Sequence, residues 1–306
     1  MNKTAFIFPG QGSQYVGMGK DFYDTFEESR EVFEIASRVS GLDIERICFE
    51  ENQEINQTEF TQIAMLTVEV AILKAILAKG INAQECGGLS LGEYGALYAS
   101  KSIEIEDLMK LIRNRGIYMQ NAYPVGGAMS AVLGLDGNIV SDVCNKCGDG
   151  VYVANYNCPG QIVISGKADV VENASKELIN AGAKRCIPLK VSGPFHSPLL
   201  IDASEKLASD LQNINISNPE IPYYSNVNAT LVTDSSNIKE LLAKQVVSSV
   251  MWQQTIEKMV ADGVDTFIEI GPGKSLQGFV KKIAPDKKVY SIQKVEDLNK
   301  LVEEIG

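Results

Sequence analysis

The sequence predicts an α/β fold: a large domain around a mostly parallel sheet, with a ferredoxin-like unit inserted into it. Two observations carry this reading. Towards both ends of the chain, short apolar runs closed by glycine turns alternate with longer helical patterns. That order lays strands side by side in parallel with helices packed over them. Between about residues 123 and 196 the order becomes β-α-β-β-α-β, which is the ferredoxin-like arrangement.

Each element has its own justification. The run TAFIF (residues 4–8) stops at Pro9-Gly10 and reads as a buried first strand ending in a turn. A helical pattern covers 21–40, and a second covers 61–79, apolar enough to be a central buried helix. A third covers 103–119. In the insert, GAMSAVLGL, the two halves of VYVANYNCPGQIVISG and AKRCIPLKVS (183–192) are strands, while GNIVSDVCNKC and ADVVENASKELINAG are helices. Beyond it, DTFIEIGPG is a strand entering a glycine turn and KKVYSI is a last strand. The large domain is therefore expected to be discontinuous, 1–122 and 197–306, around an insert at 123–196. NAQECGG (82–88) is poor in strand formers, and propensity predicts no strand there.

Composition excludes several classes. A hydrophobic content of 45% with 22% charged residues is that of a soluble globular chain. The net charge of −11 argues against non-specific binding to nucleic acid or anionic membrane. No stretch approaches roughly 18 uninterrupted apolar residues, and the N-terminal run Ala5–Phe8 is too short for a signal peptide. A cytoplasmic protein with reduced cysteines is expected. Cys144-Asn-Lys-Cys147 is a C-x-x-C without a nearby histidine, so no metal is expected.

The chemistry concentrates on Gly88-Leu89-Ser90-Leu91-Gly92, a G-x-S-x-G spacing. In such an elbow the serine sits on a tight strand-to-helix turn, with glycines where side chains would collide. A serine needs a base, and the chain has one histidine, His196, in VSGPFHSPLL. FPGQGSQ (8–14) is a glycine turn whose amides either face an anion or only close the turn. Tyr15 breaks the dinucleotide fingerprint, and Ile268 stands where a Walker loop before GPGKS needs glycine. Arg115 shares the helical face of Leu108, Leu111, Ile112 and Met119. A guanidinium there needs an anion: a structural carboxylate and a substrate carboxylate are equally good readings.

Together these motifs resemble the malonyl-CoA:acyl carrier protein transacylase family along essentially the whole chain. The carrying residues are Pro9-Gly-Gln-Gly-Ser-Gln14, Gly88 to Tyr94, Arg115-Gly116 with Met119-Gln120, and Gly127-Ala-Met129. Ala154-Asn-Tyr-Asn157, Gly193-Pro-Phe-His-Ser197 and Glu269 to Lys274 follow in the family's order. The resemblance implies a hydrolase-like large domain, Ser90 as acylated nucleophile and His196 as its base. It implies an oxyanion hole from the backbone amides of Gln11 and Leu91, and Arg115 paired with the malonyl carboxylate. It also implies a main-chain carbonyl, Met251's, orienting His196, and Phe195 as the mark of a malonyl user. Leu89 stands where many members have histidine, and Ile63 and Ser249 stand where prolines are frequent.

The implied reaction moves malonyl from coenzyme A to the phosphopantetheine thiol of acyl carrier protein for fatty acid synthesis, with no cofactor beyond the thioester. The rivals are a stand-alone polyketide acyltransferase, a serine esterase or thioesterase using an acid such as Asp136 or Asp169, and a non-catalytic carrier-docking protein. An acidic carrier protein needs local positive charge on so acidic a partner. Lys184-Arg185 and Lys281-Lys282 are the candidates, on a chain expected to be a monomer.

Overall fold

The computed structural model describes residues 3–191 and 193–305. Met1, Asn2 and Gly306, at the expected limits of the large domain, and Ser192, in the expected last strand of the insert, lie outside the described residues. The first part of the chain forms β1 (Lys3–Phe8), α1 (Lys20–Thr25), α2 (Glu27–Ser40), α3 (Ile44–Phe49), α4 (Thr58–Ala78), β2 (Glu85–Gly88), α5 (Gly92–Ala99) and α6 (Ile105–Ala122). The small unit follows: β3 (Gly127–Leu133), α7 (Gly137–Cys147), β4 (Val151–Cys158), β5 (Gln161–Lys167), α8 (Ala168–Asn180) and β6 (Arg185–Pro188). The return is α9 (Ile201–Gln212), β7 (Tyr223–Tyr224), β8 (Leu231–Val232), α10 (Ile238–Gln245) and α11 (Trp252–Ala261). It closes with β9 (Val264–Ile270), α12 (Ser275–Ile283), β10 (Lys288–Ile292) and α13 (Val295–Ile305).

The large sheet has the order β10-β9-β1-β2-β7-β8. All its pairs are parallel except β7 with β8. The small sheet, β4-β5-β3-β6, is antiparallel throughout. Its two faces have different partners, because side chains alternate along a strand. Val132, Ile162 and Ile164 pack with Val140, Cys144, Val171 and Leu178 of α7 and α8, whereas Met129, Ala131 and Val163 join the core of the large domain.

Three local outcomes depart from the pattern reading. The helix expected over 21–40 is two helices, broken at Phe26, whose backbone is extended (φ −118°, ψ 127°). α4 is long and apolar enough to cross a membrane, yet almost every residue from Thr58 to Ile76 is buried by protein. It is the central core helix. β2, with the sequence ECGG, is a fully buried strand held between β1 and β7. There its neighbours decide the conformation, and weak β-propensity is overridden.

Candidate active site

Ser90 lies between β2 and α5 with φ 56°, a left-handed conformation costly for a residue with a side chain. The two flanking glycines are required by contact. A Cβ on Gly88 would fall 1.9 Å from the Gly92 carbonyl oxygen, and one on Gly92 would fall 2.1 Å from that of Phe8. The turn is also clamped from a distance. The Ser90 N–H donates to Asn226 Oδ1 at 2.6 Å, and Asn226 Nδ2 donates to the Gly88 carbonyl at 2.7 Å. The Ser90 carbonyl accepts from Gln245 Nε2 at 2.9 Å.

His196 also has a positive φ, 58°, in the GPFHS loop. Its Nε2 lies 2.7 Å from Ser90 Oγ, and its Nδ1 lies 3.0 Å from the Gln245 carbonyl oxygen. A carbonyl only accepts, so Nδ1 carries the proton and Nε2 is left free to take one from the serine. Met251 does not have the orienting role expected of it. Its carbonyl starts α11 and accepts from the backbone N–H of Thr255, at 2.9 Å, and from the Thr255 hydroxyl. Gln245 ends α10, where helix carbonyls lack intrahelical donors and are available to a side chain. Burial, followed by the charge of Arg115, pulls the His196 pKa down to about 4, so the imidazole is neutral and ready as a base near neutral pH.

Arg115 is fully buried on α6. It donates to Gln62 Oε1 at 2.7 Å, Gln245 Oε1 at 2.9 Å and Ser90 Oγ at 3.3 Å, and its guanidinium stands 5.2 Å from the Tyr94 ring centroid. Burial pulls its pKa below the ordinary arginine value. No carboxylate among the described residues forms an ion pair with it, so its charge is met only by neutral acceptors.

Gln11 and Leu91 line the same cavity, and neither backbone amide has an acceptor among the described residues. Leu91 is the N-cap of α5, where the helix dipole adds positive potential. The cavity, of about 530 Å³, is also lined by Ser90 and Arg115 from the large domain, by Phe195 and His196 from the loop that follows β6, and by Asn155, Asn157 and Val163 from the small sheet. Lys184, Arg185, Lys281 and Lys282 are exposed and lie outside its lining, whereas Lys190 is part of it.

Other expected features resolve simply. Asp136 is the N-cap of α7 and Asp169 sits in the first turn of α8, and neither bonds His196. GPGKS opens α12, but the Glu269 carboxylate already accepts from the N–H groups of Leu276 and Gln277, at 3.0 and 2.9 Å. A phosphate would meet a carboxylate there. Leu89 lines the cavity, and the Ser249 hydroxyl donates to the Val153 carbonyl at 2.5 Å, tying the loop before α11 to β4. Sequence reasoning missed Gln62, Asn226 and Gln245, each a polar residue buried among apolar ones. Only for Gln62, inside an apolar helix, was there a local signal.

A serine in a left-handed elbow beside a buried histidine, on a mostly parallel sheet with a small antiparallel unit at its cleft, is an arrangement suited to acyl transfer. A family profile described as "Acyl transferase domain" matches residues 5–297. The malonyl CoA-acyl carrier protein transacylase of Bacillus subtilis is 43% identical over 303 residues, covering 97% of this chain and 96% of the relative. The corresponding enzyme from Clostridium perfringens superposes with a TM-score of 0.95 at 45% identity, covering 99% of this chain and 97% of that one. A malonyl-transacylase solved in complex with a type II polyketide acyl-carrier protein superposes with a TM-score of 0.96 at 35% identity, covering 99% of both chains. The chain belongs to the malonyl-CoA:acyl carrier protein transacylase family.

Proposed function

We propose that this protein moves the malonyl group from malonyl-CoA to the phosphopantetheine thiol of acyl carrier protein through a malonyl ester on Ser90. The observation that carries the reading is the 2.7 Å approach of Ser90 Oγ to His196 Nε2 beside the unpaired charge of Arg115. His196 takes the Ser90 proton as the oxygen attacks the thioester carbonyl. The Gln11 and Leu91 amides face the oxyanion as it forms. Arg115 holds the malonyl carboxylate. As the tetrahedral adduct collapses, the imidazolium returns its proton to the departing coenzyme A sulfur. The carrier thiol then repeats the sequence in reverse, giving ping-pong kinetics. These proton transfers use only side chains, backbone amides and the thioester, so no further cofactor is required.

Ser90, His196 and Arg115 all come from one chain, in keeping with a monomer. The chemistry is that of a cytoplasmic enzyme supplying fatty acid synthesis. Lys281 and Lys282, exposed on the helix whose Ser275, Leu276 and Phe279 border the cleft, suit an acidic carrier at its mouth. Lys184 and Arg185 offer a second patch. The polyketide-carrier complex of one structural neighbour makes a polyketide carrier the alternative acceptor.

The test is intact-protein mass spectrometry after mixing with malonyl-CoA, then with carrier proteins of both kinds. A malonyl adduct absent from Ser90→Ala and discharged by carrier is expected. Release to water at the same rate with and without carrier would make the protein a thioesterase.

A further inference from the structure

Glu93 is a buried carboxylate that the transfer mechanism does not use, and it is linked to Arg115. Glu93 is in the first turn of α5, fully buried, and makes no direct contact with the guanidinium. The two are joined by one amide. Gln245 turns its Oε1 to Arg115 Nη2 at 2.9 Å and its Nε2 to Glu93 Oε2 at 2.5 Å. Glu93 Oε2 also accepts from the Asn226 N–H at 3.2 Å, while Glu93 Oε1 accepts no hydrogen bond among the described residues.

This spacing has a consequence for an incoming carboxylate. One buried cation and one buried anion offset each other through the amide, and isolated burial of either would be costly. A malonyl carboxylate on Arg115 brings a second anion to one cation. The cheapest correction is a proton on Glu93, whose Oε1 accepts no hydrogen bond among the described residues. We propose that Glu93 binds a proton when Arg115 binds the acyl carboxylate, so that malonyl enters together with a proton and acetyl does not. This makes Glu93 a specificity-determining residue acting through Gln245, and it rests on the reading of Arg115 given above.

The surroundings agree. Burial raises the Glu93 pKa to about 7, against the lowering effects of hydrogen bonds from Gln245, Asn226 and Ser225 and of the Arg115 charge. Pairing Arg115 with another anion weakens the last of these and raises Glu93 further. The titratable or charged groups facing Glu93 are Arg115 from α6, Tyr94 from its own helix and Tyr223 from β7. Burial pushes Tyr94 up to about 12 and Tyr223 well above the ordinary phenol value, so both stay neutral. His196 titrates near 4, well below this window.

The sign follows. Below about pH 7 Glu93 already carries its proton and malonyl binds without cost; above it, binding draws a proton from water. The ratio of kcat/KM for malonyl-CoA to that for acetyl-CoA should fall as pH rises, by up to about tenfold per unit for one linked proton. Ionisations of coenzyme A are common to both thioesters and cancel in the ratio. Glu93→Gln, which keeps an acceptor for Asn226 and Gln245, should flatten the profile and raise the ratio at alkaline pH. A second measurement needs no change at Glu93. In Ser90→Ala, calorimetry of malonyl-CoA binding at about pH 8, in buffers of different ionisation enthalpy, should report uptake of about one proton, and acetyl-CoA about none. An unchanged slope in Glu93→Gln, equal losses on both thioesters, or no proton uptake would each overturn the proposal. Arg115→Ala separates the two claims. If it leaves the malonyl-to-acetyl ratio intact, Arg115 is not the carboxylate receptor. If it collapses the ratio while Glu93→Gln keeps the slope, only the role of Glu93 fails.

Discussion

Asn226→Ala should inactivate the nucleophile without touching any reacting atom. Asn226 is fully buried, and its amide bridges the Ser90 N–H and the Gly88 carbonyl. Truncation leaves both backbone groups unpaired in the core, at about 1–3 kcal/mol each, or about 2–6 kcal/mol together. At roughly 2 °C per kcal/mol for a chain of this size, Tm should drop by about 4–12 °C. Activity should suffer separately. Ser90 sits at φ 56°, which costs on the order of 1–3 kcal/mol and persists only while its surroundings enforce it. With the clamp gone the turn can relax, and a displacement of Oγ of about 1 Å costs about 100-fold in rate. Stopped-flow acylation by malonyl-CoA at a temperature where circular dichroism shows the variant folded measures this directly. Asn226→Asp adds a check. Its Oδ1 still accepts from Ser90, and a protonated carboxyl donates to Gly88 as the amide does. Its acylation rate relative to wild type should therefore recover as pH falls. A folded Asn226→Ala with wild-type acylation would refute the reasoning, leaving Asn226 a contributor to stability alone.

Three further outcomes are expected. Arg115→Ala should lose about 10- to 150-fold in kcat/KM with malonyl-CoA, the worth of a charge-assisted contact of about 1.5–3 kcal/mol, and little with acetyl-CoA; steady-state kinetics on both thioesters decide it. Lys281→Glu with Lys282→Glu should slow transfer to carrier protein while leaving single-turnover acylation by malonyl-CoA unchanged; equal slowing of both half-reactions would place the patch at coenzyme A instead. Glu69 of α4 is fully buried with neither carboxylate oxygen hydrogen-bonded among the described residues, and burial raises its pKa well above the carboxylate range. A raised folded pKa means its stability contribution is lost as pH rises above the unfolded value, so Glu69→Met should raise Tm, by scanning calorimetry, more at about pH 8 than at about pH 5.

Much of this protein is determined locally and was legible in the chain. The β-α-β-β-α-β order of the insert follows from hydrophobic period and turn residues within each element. The elbow was readable because its glycines answer to atoms nearby in sequence or on the adjoining β1 end: Gly88 meets Gly92, and Gly92 meets Phe8. Arg115 could be placed on the buried face of α6 by counting residues, since helical geometry is the same everywhere. His196 needed only to be the one histidine available.

What the tertiary structure decided is everything that depends on where distant backbone groups come to rest. ECGG forms a strand because β1 and β7 flank it, and nothing inside those four residues prefers that state. The orienting carbonyl belongs to Gln245 and not to Met251, because α10 ends at Gln245, whose carbonyl takes only a long 3.4 Å bond from the Ser248 N–H beside His196, while Met251 begins the next helix with its carbonyl engaged by Thr255 at 2.9 Å. Asn226 and Gln245 reach Ser90 from 136 and 155 residues away. Hydrogen bonds of that kind carry no periodicity: an amide side chain looks alike in a loop and in a clamp until folding buries it against the groups it must satisfy.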